Sequence, residues 1–248
     1  MRLRVFRSVD LLAQRLALEL SRALEVNPSL VLGLATGRTP IPLYRELVRL
    51  HQAGHADFSR AATFNLDEFI GLPARDPRGY RAFMDRHLFA GVNLSPRRIN
   101  FLNGAAPDLV RECARYERAI SRVGGIDVQI LGLGANGHIG FNEPGLSLIS
   151  RSHRTPLTAQ TRRANAALFN HKLADVPREA LSMGMATILG GRRIVLVATG
   201  AAKARCVQRA LEGPVTPRLP GSFLQLHPRV EFWLDRRAAE RLGSAHSQ

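Results

Sequence analysis

Residues 126–145 read IDVQILGLGANGHIGFNEPG. The stretch from Ile126 to Leu133 is apolar and rich in β-forming residues, so it reads as a buried strand. Closely spaced glycines then end it. Glycine carries no Cβ and reaches positive φ cheaply, so a strand that ends this way turns sharply and brings its backbone close to a ligand. Asn136, His138, Asn142 and Glu143 follow almost together, at the rim of a sheet.

Working outward, similar apolar runs recur at 29–34, 62–66, 99–102, 193–198 and 230–234, with helical segments between them. Leu43, Leu47 and Leu50 form one helical stripe, and Leu109, Cys113, Tyr116 and Ile120 form another. This alternation predicts an α/β fold: a single doubly wound, mostly parallel sheet with helices on both faces. The N-terminal stretch MRLRVFRSVDLLAQRLALEL is punctuated by charge, with Leu12, Leu16 and Leu20 on one face, and reads as a surface helix. The segment 147–170, rich in Ser, Thr and Arg and weakly periodic, predicts a mobile flap over the strand ends of one domain spanning 1–248. The tail after Arg241 is expected to fray.

At 248 residues and 45% hydrophobic content the chain can fill one large core. No stretch reaches membrane-spanning length, so no membrane partner is expected. Cys113 and Cys206 are the only cysteines, too few for a disulfide scaffold and without metal-ligand spacing, which points to the reducing cytoplasm. A net charge of +15 suggests an anionic partner, yet Lys172 and Lys203 are the only lysines and the arginines are scattered. That skew reads as codon bias rather than a nucleic-acid footprint, and no recognition motif accompanies it.

In sheets of this kind ligands bind beyond the carboxyl ends of the strands. LATGRTP (34–40) leaves such an end and enters a helix near Pro40, so the N–H groups around Gly37 and Arg38, with the hydroxyls of Thr36 and Thr39, could hold a phosphate. Strand, glycine turn and helix serve packing as often as binding. FNLDEFIGL (64–72) sets Asp67 and Glu68 after another strand, where Asp67 alone reads more readily as a cap than as a desolvated base. His138 with Glu143 five residues on is the sharper pair, because a carboxylate on one ring nitrogen fixes the tautomer and leaves the other as acid or base. No GxSxG elbow is present, and His138 has no second histidine at i+3 or i+4, so a metal is not expected.

The ordered series LGLATGRTP, FNLDEFIGL, LNGAAPDLVRECARYE, GLGANGHIGFNEPG, ALSMGMATIL, GAAKARCVQRALEG and SFLQLHP resembles the glucosamine-6-phosphate deaminase (isomerising) family, within the wider group that contains 6-phosphogluconolactonases. The match runs across nearly the whole chain. The resemblance implies a Rossmann-like deaminase/isomerase fold and conversion of a phosphorylated amino sugar, glucosamine 6-phosphate, with water into fructose 6-phosphate and ammonia, without a cofactor. It implies ring opening by His138 with Glu143 as partner, enolisation by Asp67, and phosphate binding by Lys203. It gives Glu68 no role beyond local structure, and it allows a homo-oligomer.

Two positions depart from the family. Asn136 stands where several members carry the aspartate of an Asp-His-Glu relay, and it can still hydrogen-bond without charge. A phosphate-binding arginine of the flap falls at Ala167, while the loop that usually reads TGGTP has gained Arg38. Arg38 either reaches the phosphate in its place or points to solvent. The rival readings are a deaminase for the galactosamine epimer, which would use the same residues, a lactonase, whose branch lacks the FNEP continuation, and a non-catalytic sugar-phosphate sensor, which would need a DNA-binding segment.

Overall fold

The structure is a computed structural model and describes residues 1–73 and 75–243. In chain order its strands are β1 (Arg2–Phe6), β2 (Val31–Leu34), β3 (Ala62–Asn65), β4 (Asp67–Phe69), β5 (Ile99–Asn100), β6 (Val128–Gly132), β7 (His153–Pro156), β8 (Glu179–Ser182), β9 (Arg193–Ala198) and β10 (Val230–Asp235). Its helices are α1 (Val9–Val26), α2 (Ile41–Gln52), α3 (Tyr80–His87), α4 (Leu109–Arg122), α5 (Ala159–Asn165), α6 (Met185–Leu189), α7 (Ala204–Glu212) and α8 (Arg236–Ala239).

Seven strands form one sheet in the order β1-β10-β9-β6-β2-β3-β5, and every pairing is parallel. Both faces are covered, as a parallel sheet requires. Alternation along the strands sorts the side chains: Leu32, Leu34, Val128, Ile130, Val195, Val197 and Trp233 join the core beneath α1, α2 and α3. Their neighbours Val31, Leu131, Ile194, Leu196, Phe232 and Leu234 join the core beneath α4, α6 and α7. The expected doubly wound α/β fold is therefore present.

Local chemistry explains the helices that carry it. Ser8 caps α1 by accepting from Leu11 N at 3.2 Å, and Leu12, Leu16, Leu20 and Leu24 bury one stripe. Asp108 caps α4 through Arg111 N at 3.0 Å, and Cys113, Tyr116 and Ile120 are buried as their spacing predicted. Helix α2 has Pro40 at its cap position, a second proline in its first turn and no side-chain cap, and the N–H of Ile41 turns back to Arg38 O at 3.3 Å.

Three features were not legible beforehand. The N-terminal stretch is not helical throughout: Arg2–Phe6 forms β1, an edge strand on β10, and the helix begins at Val9. A second, antiparallel sheet of order β4-β8-β7 stands beside the first. Part of the segment expected to be a flap is tied to it, because β7 pairs with β8, and Leu157 and Phe169 pack with Phe69, Tyr80, Phe141 and Val176 in a third apolar cluster. Helix α5 lies between those two anchors. Residues 244–248 of the tail expected to fray lie outside the described residues.

The order of the large sheet fixes where the loops meet. From β2 the chain moves through β3 to β5 on one side, while β6, β9 and β10 extend on the other. The reversal falls between β2 and β6, the position at which a crevice opens outside the carboxyl ends.

Candidate active site

Four neighbouring strands deliver the expected residues. The loop of Thr36, Gly37, Arg38 and Thr39 leaves β2, Asp67 follows β3, the loop holding Asn136, His138 and Glu143 leaves β6, and Lys203 follows β9. All nine residues read from the sequence thus lie at the carboxyl ends of the adjacent strands β9, β6, β2 and β3.

The glycines of the β6 loop act through space they leave empty. A Cβ on Gly134 would stand 2.4 Å from Cδ2 and Nε2 of His138, so the imidazole lies flat in room that only glycine provides. The turn closes through Gly134 N to His138 O at 2.9 Å, and Gly137 and Gly140 take φ of 94° and 57°. Gly140 brings the loop to β4: a Cβ there would lie 3.6 Å from Oδ2 of Asp67 and 3.1 Å from Oγ of Ser182.

His138 and Glu143 meet as predicted. Nδ1 faces Oε1 at 3.4 Å, near enough for attraction but without the alignment of a made hydrogen bond. Asn136 clamps the pair, donating from Nδ2 to Oε2 of Glu143 at 2.7 Å and accepting from His138 N at 3.2 Å. An aspartate could not make the first of these contacts while ionised. Burial alone would raise the Glu143 carboxyl, but the imidazole, Thr161 and Asn136 outweigh it and hold the group below the usual carboxylate range.

Asp67 is the opposite case. It is 5% exposed, its Oδ1 has no hydrogen-bond partner, and burial, assisted by the neighbouring Glu68 charge, pushes its carboxyl up to about 8. Asp67 is therefore not a cap. The capping role belongs to Glu68, which accepts from Tyr80 N and Arg81 N at 2.9 Å each and so starts α3. That supplies the local structural role that the sequence left undefined for Glu68.

At the β2 end Gly37 takes φ of 96° and the Tyr44 hydroxyl ties α2 back to Ala35 O. Thr36 and Thr39 are half-buried and Arg38 is exposed. Burial pushes the Lys203 ammonium below the usual lysine range, and the nearby Arg38 guanidinium adds to the push. No hydrogen bond or ion pair joins either side chain to an acidic partner among the described residues. Two neighbouring cations thus stand near the start of a helix that has no side-chain cap. Ala167 is exposed on the short turn 166–169 after α5.

Several residues at the site carried no usable signal in the sequence. The Tyr80 hydroxyl lies beside that of Thr36 and donates to Asn165 Oδ1 at 2.8 Å, while its ring stacks on Phe141 at a 20° interplanar angle. Thr161 and Thr158 reach Glu143 from α5. Only the pairing of distant segments brings these groups in. Among the described residues no group of three His, Cys, Asp or Glu side chains is placed to hold a metal ion, and no helix is long and apolar enough to cross a membrane.

Residues 7–233 match the family of glucosamine-6-phosphate isomerases and 6-phosphogluconolactonases. The chain is 51% identical over 216 residues to a glucosamine-6-phosphate deaminase of Rhodopirellula baltica, covering 87% of this chain and 86% of that protein. It is 46% identical over 228 residues to glucosamine-6-phosphate deaminase 1 of Giardia intestinalis, covering 92% and 86%. Its fold is similar to that of a solved monomeric glucosamine-6-phosphate deaminase, with a TM-score of 0.93, 43% identity, and coverage of 97% of this chain and 99% of that one.

Proposed function

The chain belongs to the glucosamine-6-phosphate isomerase and 6-phosphogluconolactonase family, and from that membership we propose a site-by-site account of its chemistry. It is an enzyme of amino-sugar metabolism that converts glucosamine 6-phosphate and water into fructose 6-phosphate and ammonia, an activity its relatives' names support.

The phosphoryl group sits against the loop 36–39, held by its N–H groups, the hydroxyls of Thr36 and Thr39, and the cations of Lys203 and Arg38. His138 moves a proton from the anomeric hydroxyl to the ring oxygen, which opens the pyranose to the aldehyde, and Glu143, kept ionised by its donors, steadies the imidazolium that forms. Asp67 then takes the C2 proton and returns it to C1, while one proton of the C2 ammonium passes to O1, leaving an iminium at C2. Water adds to C2, and the carbinolamine expels ammonia to leave the ketone.

A base with its carboxyl near 8 is mostly protonated at neutral pH, and the substrate itself answers this. Its C2 ammonium brings a positive charge beside the buried carboxyl, which favours the carboxylate form when substrate is bound. The observation that carries the reading is the buried Asp67, whose Oδ1 has no hydrogen-bond partner, beside Gly140 of the loop that holds the His138–Glu143 pair. Cytoplasmic location and a single catalytic domain belong to the same reading. Ammonia release from glucosamine 6-phosphate and galactosamine 6-phosphate, measured side by side, tests it: turnover of the gluco epimer is expected to dominate, and absence of turnover with both would refute it.

A further inference from the structure

We propose that Thr161 is a positioning residue for the His138–Glu143 pair, supplying from α5 the hydrogen bond that keeps Glu143 ionised and turned toward the imidazole. The inference rests on the reading above for its kinetic consequence only.

Helix α5 is short and otherwise lies open. Thr161 is its one buried residue, 2% exposed, where packing alone would favour an apolar side chain. Its hydroxyl donates to Oε1 of Glu143, the same oxygen that faces Nδ1 of His138. The direction of that bond is fixed by the carboxylate, which when ionised only accepts, so the Thr161 hydroxyl must donate. Thr158, the N-cap of α5, accepts from Thr161 N at 3.2 Å, and its own single hydroxyl proton lies within reach of both Thr161 Oγ1 at 3.1 Å and Glu143 Oε1 at 3.4 Å. Asn136 holds the other oxygen. Glu143 is thereby gripped at both oxygens, once from its own loop and once from α5.

Helix α5 is in turn fixed to the rest of the site. Asn165 accepts from Tyr80, whose hydroxyl lies beside Thr36 of the phosphate loop, and Arg162 donates to Leu173 O at 2.7 Å and Val176 O at 3.0 Å. The position of the ring-opening carboxylate is thus referred to the phosphate loop through one helix. A shift of α5 moves Oε1 away from His138.

The test compares Thr161→Val, which keeps shape and removes the proton, with Thr161→Ser, which keeps the proton. Thr161→Val is expected to lower kcat for glucosamine 6-phosphate about tenfold with KM little changed, and to move the acid limb of the kcat profile to higher pH, because Glu143 loses a donor to its charged form. Thr161→Ser is expected to restore both. Exchange of solvent hydrogen into fructose 6-phosphate with ammonium present, which depends on Asp67, should survive in Thr161→Val. Independently of turnover, a 13C titration of the Glu143 carboxyl should show its pKa raised in Thr161→Val and not in Thr161→Ser. An unmoved Glu143 titration overturns the inference even if activity falls. A wild-type protein that releases no ammonia while Glu143 still responds overturns the proposed reaction and leaves the positioning bond standing.

Discussion

The imidazole of His138 rests against Gly134 so closely that a single methyl group on that glycine would stand 2.4 Å from two ring atoms. Gly134 is not among the glycines with positive φ, so alanine is tolerated by its backbone and meets only the ring. Gly134→Ala should therefore leave the melting temperature nearly unchanged while displacing the acid–base group. Misplacement by about 1 Å costs on the order of 10²-fold in rate. Ammonia-release kinetics beside a thermal melt checks this, and wild-type kcat in the variant would contradict the packing argument.

Asp67 couples catalysis to stability. Its carboxyl is raised from 3.8 to about 8, so between those values the folded state holds a proton that the unfolded state has released. Stability should then fall as pH rises through that window and level off above it. Each pKa unit is about 1.4 kcal/mol, so Asp67→Asn should be more stable than wild type by several kcal/mol at pH 8 and no more stable near pH 4. Urea denaturation at the two pH values reads this directly. The same variant should lose enolisation, with solvent-hydrogen exchange into C1 or C2 of the sugar abolished.

His138 and Asp67 act on different atoms in the proposed sequence, and a variant can separate them. His138→Gln should be slow with cyclic glucosamine 6-phosphate yet less impaired in the reverse direction, since fructose 6-phosphate opens more readily without help. A loss of about 10²-fold forward is typical for a positioned acid–base group. Equal losses in both directions would show that His138 also serves the enolisation.

Arg38 and Lys203 lie close enough for one charge to bear on the other, and neither is neutralised by an acidic side chain among the described residues. If both hold the phosphoryl group, Arg38→Gly should raise KM. A charge-assisted hydrogen bond contributes about 1.5–3 kcal/mol. Arg38 is exposed and screened, so the expected rise is about tenfold. Adding Ala167→Arg to Arg38→Gly should recover part of it, from the opposite wall of the crevice. An unchanged KM in Arg38→Gly would mean that its guanidinium serves only the surface.

The sequence by itself determined six of the seven strands of the large sheet. Strand cores such as 193–198 and 230–234 and the leucine stripes of α1 and α2 are legible because the apolar period of each element is a local property, set by the geometry of the strand or helix that must bury it. It also marked Gly37, Asp67, Asn136, His138 and Glu143 as residues of interest, since glycine turns and polar clusters at strand ends are read from neighbours in the chain, whereas Lys203 stood out only through the family resemblance. What only the tertiary structure decided is how those residues differ. Nothing between positions 64 and 72 says that Glu68 caps α3 while Asp67 keeps a bare, buried oxygen, because the N–H groups that satisfy one and not the other come from Tyr80 and Arg81. Likewise β1, β4, β7 and β8 carry no continuous apolar run of their own and exist through their partners' hydrogen bonds. Thr161 looked like one polar residue among many until α5 set its hydroxyl on Glu143. Protonation state depends on burial and on donors from distant segments, and both are properties of the folded surface rather than of the neighbouring letters.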